Sequence, residues 1–201
     1  MKNIFKLSGS LVKTSASIVG SPGISPILIP GSSARIDPMA IMRDIVSVLG
    51  PELNRAGVAQ VNVSSIPQSN VLGLAKYVPQ KTPSGTYIDS DAKVIYVDVK
   101  KIFENYAKKP LSSIIQTDVN MSKDPDLIKN FYMKVLQEIR KQLSSVTRHE
   151  LQHKMRTLKN ISENKPLTDN PEYDADRAGD DFAKTYLSRS AREVIMTMKN
   201  A

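Results

Sequence analysis

From Ile128 onward, apolar side chains recur at spacings of three and four. Ile128, Phe131, Tyr132, Val135, Ile139, Leu143 and Val146 fall on one side of a helix. Asp124 suits the N-cap of that helix and Pro125 its first position. The next members of the same stripe are polar: His149, Glu150 and His153. An earlier helix is written in "DPMAIMRDIVSVLG", with Asp37 as cap, Pro38 at the first helical position, Met39, Met42, Ile45, Val46 and Leu49 on one face, and Gly50 as a stop. A third opens at "NPEYDADRAGDDFAKTYL", capped by Asp169 or Asn170 with Pro171 following.

Between the first two helices the period shortens. "VAQVNVSSI", "NVLGLAKYV" and the two halves of "GTYIDSDAKVIYVDV" around its polar DSDA turn predict short strands, read most simply as an antiparallel sheet. "KKIFENYAKK" predicts a short helix, and "PLSSIIQTDV" fits strand or loop equally. The expected fold is α+β: a small antiparallel or mixed sheet packed on the long helix, with a helical C-terminal part. Residues 1–35 show no such order. Rich in Ser, Gly and Pro, they read as a flexible arm that contributes little to the fold, which leaves 36–201 as the domain.

Charge changes this picture little. Half of the net +8 lies in the first 36 residues, which hold Lys2, Lys6, Lys13 and Arg35 and no acid. The rest is interspersed with acids, the pattern of a solvated surface, so no nucleic-acid partner is expected. No apolar run approaches the roughly 18 residues that span a bilayer, so a soluble protein without a transmembrane segment is expected. Lys13 breaks the centre of any secretory signal, and the compartment stays undetermined. The arm fits a passive tail, a targeting segment, an element that docks on a partner, or a propeptide. The absence of cysteine excludes disulfides, thiolate metal sites and cysteine nucleophiles.

Any metal must therefore be held by His, Asp and Glu. The chain's two histidines stand at i and i+4, so their imidazoles leave one face of a helix close enough to share an ion. Zinc in a hydrolytic site takes three protein ligands and keeps a fourth position for water. A carboxylate from the following helix supplies the third. Glu172 and Asp176, one turn apart, suit a ligand and a group that accepts the free N–H of a ligating imidazole.

The pair "HELQH" at 149–153 and "EYDAD" at 172–176 resembles the gluzincins, the thermolysin-like clan of zinc metallopeptidases, and in particular small members whose third-ligand motif reads ExxAD. The resemblance rests on these two motifs for specific residues and covers residues 38–201 by order of elements. It implies a zincin-like fold, Zn2+ as cofactor, His149, His153 and Glu172 as ligands, Glu150 as general base and Asp176 behind the ligands. The activity it implies is peptide-bond hydrolysis, on a peptide or protein lying extended along a sheet edge, for which Gly73–Val78 and Lys93–Val99 are the candidates. The chain departs from the pattern at Lys154, where an uncharged residue is expected. It also has no further histidine to donate to the oxyanion. Tyr173, Arg177 and Tyr186 lie on the second motif's helix, with Tyr173 the candidate donor and Tyr186 expected in the core. Two other readings stand beside this one: a structural or assembly protein that keeps the fold and a metal with little or no proteolytic activity, and an enzyme held in check by the "SPILIP" segment of its own arm.

Overall fold

The computed structural model describes residues 16–29, 35–68, 70–75, 79–85, 87–89, 93–110, 124–163 and 172–199. Asp37 opens the first helix, α1 (Pro38–Arg55), by accepting hydrogen bonds from the backbone N–H of Met39 and Ala40. Gly50 does not stop it. The apolar stripe runs on through Leu49 and Leu53, both fully buried, and Pro51 is carried inside the helix. The end comes at Gly57 in the left-handed region, where Gly57 N–H reaches the Asn54 carbonyl and Val58 N–H the Leu53 carbonyl, the two bonds of a Schellman turn.

The strands are β1 (Ser17–Gly20), β2 (Ile27–Leu28), β3 (Arg35–Ile36), β4 (Gln60–Val63), β5 (Gly73–Leu74), β6 (Pro79–Lys81), β7 (Tyr87–Asp89) and β8 (Val94–Val97). Four of them form one sheet in the order β1-β4-β8-β5. It is mixed rather than antiparallel. β1, β4 and β8 run parallel, with Val61 beside Ile18 and Ile95, and only β5 runs against its neighbour, Gly73 facing Val97 and Leu74 facing Tyr96. The expected hairpin through DSDA is replaced by two separate pairings. β7 joins β6 and β8 joins β4, because the alternating Val61, Val63, Ile95 and Val97 bury one common face on the helices.

The boundary expected at Ile36 is corrected by the same sheet. β1 is its first strand, Ile27–Leu28 pair with Arg35–Ile36, and Ala16 and Ile29 are buried in the core. Residues 16–29 thus belong to the domain. A short run carries no helical period, yet two or four residues suffice for a strand pairing. Residues 1–15 and 30–34 lie outside the described residues.

After β8, Asp98 caps a short helix, α2 (Val99–Phe103), which continues into a π-helical turn (Glu104–Lys108). The long helix α3 (Pro125–Ser162) starts as expected, with Asp124 accepting from Asp126 and Leu127 N–H. It packs on α1, α2, β5 and β8 and lies along the last helix, α4 (Glu172–Lys199). The cap expected at Asp169 or Asn170 with Pro171, the segment 111–119, and residues 76–78 and 90–92 lie outside the described residues. Among the described residues no helix is long and apolar enough to cross a membrane.

Candidate metal centre

Past Leu143 the buried side of α3 turns polar. Ser144, Thr147, Glu150, Lys154 and Thr157 are all buried, while His149 and His153 flank this face partly buried. Thr147 returns its hydroxyl to the Leu143 carbonyl at 2.7 Å and also lies 3.9 Å from the Met42 sulfur of α1. The histidines look out on an open cleft of about 770 Å³ between α3, the start of α4 and the edge strand β5.

α4 is brought to this cleft by a seam of small residues. Ala175, Gly179 and Ala183 are its buried positions before Tyr186. At Gly179 a Cβ would stand 2.6 Å from the Ser145 carbonyl oxygen, so the two helices touch backbone to backbone one turn before His149. Glu172 and Asp176 are thereby carried over the histidines, with their own side chains largely in solvent.

The contacts form one cluster. His149 Nε2 lies 3.0 Å from His153 Nε2 and 3.2 Å from Glu172 Oε2, and His153 Nε2 lies 3.6 Å from the same oxygen. On the other side of its ring, His149 Nδ1 is 3.0 Å from Asp176 Oδ1. With the proton on Nδ1 donated to Asp176, Nε2 presents its lone pair to the cluster. Burial and the neighbouring His149 hold the His153 imidazole below its usual pKa, against the pull of Glu172.

Glu150 stands apart, with Oε1 4.0 Å from His149 Nε2. It is buried against β5, the N–H of Ala75 just past that strand donates to it, and burial pushes its pKa from 4.5 up to about 8 despite that bond. The contact depends on Gly73: a Cβ there would fall 2.6 Å from Glu150 Cγ and Oε1 and 2.7 Å from Val146. The sequence marks Gly73 only as the start of a candidate edge and does not single out Gly179, since a glycine that permits close approach looks like any other until its neighbour is known.

Of the residues singled out from sequence, His149, Glu150, His153, Glu172 and Asp176 line the cleft together. Tyr173 does not. It is 73% exposed and lies outside the cleft lining, because one residue along α4 from Glu172 turns the side chain some 100° away. Arg177 pairs with Asp181 in solvent. Tyr186 is in the core, its hydroxyl 2.6 Å from Asp44 Oδ2, its ring stacked on Phe182 and covered by Arg140. Of the two candidate sheet edges, β5 is an edge and faces the cleft, whereas β8 is covered on both sides by β4 and β5. No described residue of 16–36 lines the cleft, and Ile29 of the "SPILIP" segment is fully buried in the core. Comparison with known proteins finds no family model, no curated protein and no solved structure that matches the chain.

Proposed function

We propose that the protein is a zinc-dependent peptidase of gluzincin type, on a zincin-like fold, with His149, His153 and Glu172 as the zinc ligands. One observation carries the reading. Tetrahedral zinc with bonds of about 2.0–2.1 Å sets its ligand atoms about 3.3 Å apart, and the three atoms here are separated by 3.0, 3.2 and 3.6 Å. Two imidazole lone pairs and a carboxylate aimed at one point repel unless a proton or a metal cation lies between them, and a metal engages all three at once. Asp176 holds His149 in the ligating tautomer.

Zinc bound there would acidify a water and polarise a peptide carbonyl. Glu150, beside the ligands but not among them, then accepts the water proton and passes it to the amine as the C–N bond breaks. A divalent charge close by favours the ionised form that this role requires, offsetting the burial that raises its pKa. The substrate would lie extended along β5, whose outer side carries no strand among the described residues. That edge and Glu150 are in contact through Gly73 and Ala75, so the strand that would hold the peptide also holds the base.

The test measures zinc and hydrolysis separately. Purified protein is expected to carry one zinc per chain and to cleave casein. Glu150→Gln should retain the zinc and lose about 10²-fold or more in rate. A full zinc equivalent remaining in His149→Ala would overturn the ligand assignment. Zinc with no casein cleavage in the parent would favour a structural or assembly protein that keeps the metal.

A further inference from the structure

The loop between β4 and β5 is held by one ammonium group. Lys101 Nζ donates to the carbonyls of Ile66 at 2.8 Å, Gln68 at 2.8 Å and Val71 at 3.0 Å. Three donors and three acceptors match, so the ammonium is saturated by a single loop. Asp98 completes the arrangement. It is 2% exposed, takes the Ile66 N–H on Oδ2 and the Lys101 N–H on Oδ1, lies 3.4 Å from Lys101 Nζ, and gives its own N–H to the Leu72 carbonyl. Both ends of the loop are thus tied to the junction of β8 and α2, and β5 begins at the next residue, Gly73.

We propose that Lys101 is a positioning residue for the peptide substrate, fixing the edge of β5 through the 66–72 loop; this rests on the peptidase reading and assigns a substrate-holding role outside the metal centre. Lys101 does not line the cleft, but the loop it gathers does, through Asn70, Val71 and Leu72, and the strand that follows makes the contact with Glu150. Three carbonyls converging on one point repel each other, and a cation with tetrahedrally disposed donors cancels that repulsion. The planar fork of an arginine cannot point three N–H groups at one centre in the same way. Without the ammonium the carbonyls must turn to water, and the loop and β5 must move with them. The proposed zinc ligands stand on α3 and α4, whereas the bonds of Lys101 run to the loop and to Asp98, so losing the clamp should separate peptide binding from metal binding.

The experiment compares the zinc-loaded parent with Lys101→Met and with Lys101→Cys, the latter before and after alkylation by 2-bromoethylamine. The chain has no other cysteine, so the alkylated side chain is a single lysine analogue with its ammonium restored. In Lys101→Met we expect one zinc per chain, faster amide exchange at Leu74 and Ala75 with α3 still protected, and a KM for a casein-derived peptide raised about tenfold while kcat changes less than about threefold. Alkylation should restore both exchange and KM. An unchanged KM, exchange that quickens throughout α3 together with β5, or no rescue by alkylation would each overturn the proposal. Peptide affinity of zinc-loaded Glu150→Gln, with and without Lys101→Met, tells its failure from that of the peptidase reading. An inactive parent with affinity lost in the double variant removes the peptidase chemistry and keeps the clamp. Affinity intact in the double variant, or absent from both proteins, overturns the clamp.

Discussion

A carboxyl held off water against β5 costs the fold free energy whenever it ionises, and Glu150 is such a group. Its pKa in the folded chain, about 8, stands above the ordinary 4.5. Its favourable contribution is therefore full below pH 4.5 and is lost as pH rises through about 8. In chelator-treated protein, Glu150→Gln should then melt higher than the parent at pH 8, by at least about 3 °C, and level with it near pH 4.5. Thermal scans at the two pH values check this, and a gain of equal size at both would mean that ionisation is not the cause. At the neighbouring residues the order of damage is diagnostic. Asp176 meets His149 at Nδ1, away from the cluster, so Asp176→Ala should weaken zinc by roughly 10- to 100-fold, and Glu172→Ala should weaken it more. Competition titration measures both, and the reverse order would make Asp176 the ligand. These residues were legible in the sequence because i, i+4 spacing on one helix and one turn on the next dictate which side chains share a face. Gly73, Gly179 and Lys101 were not, because their roles lie in a neighbour distant along the chain.

Between elements, the metal centre depends on how closely α3 and α4 cross. Gly179 is the contact point, two turns after Glu172 and opposite the turn that precedes His149. Alanine is worth up to about 1 kcal/mol more than glycine inside an isolated helix, so Gly179→Ala would stabilise α4 if the crossing were loose. With a Cβ 2.6 Å from the Ser145 carbonyl the helices must part instead. Gly179→Ala is expected to cost about 1–3 kcal/mol in chemical denaturation and to weaken zinc by moving Glu172 and Asp176 outward. Raised stability with unchanged zinc affinity would show that the crossing has slack. The helix starts were readable from Asp37-Pro38 and Asp124-Pro125, where capping is a local matter. The end of α1 was not. A Gly-Pro pair signals a stop only if nothing beyond it needs burying, and Leu53 does. Strand direction was equally hidden, since alternation states which face is buried and not whether the partner runs parallel.

For the whole molecule the largest revision concerns where the fold begins. A segment with no acid, no helical period and many Gly and Pro residues reads as a tail, yet Ser17–Gly20 extend the sheet and Ile29 is fully buried in the core. The resulting layout puts β1 at one edge of the sheet and β5 at the other, so the cleft and the N-terminal strand occupy opposite edges. Removing residues 1–35 should therefore damage stability without touching any cleft residue among those described. Burying one isoleucine side chain contributes about 1.5–3 kcal/mol, and the loss of β1 also uncovers the β4 edge with its backbone groups. At about 2–4 °C per kcal/mol for a chain of this size, the transition should fall by about 10 °C or more. Comparing a deletion of 1–15 with one of 1–35 assigns the loss to the segment that carries β1, β2 and Ile29. Equal melting temperatures for the two would show that this strand adds little to the sheet. A raised rate of casein cleavage in the longer deletion would give the segment an inhibitory part that its burial away from the cleft argues against.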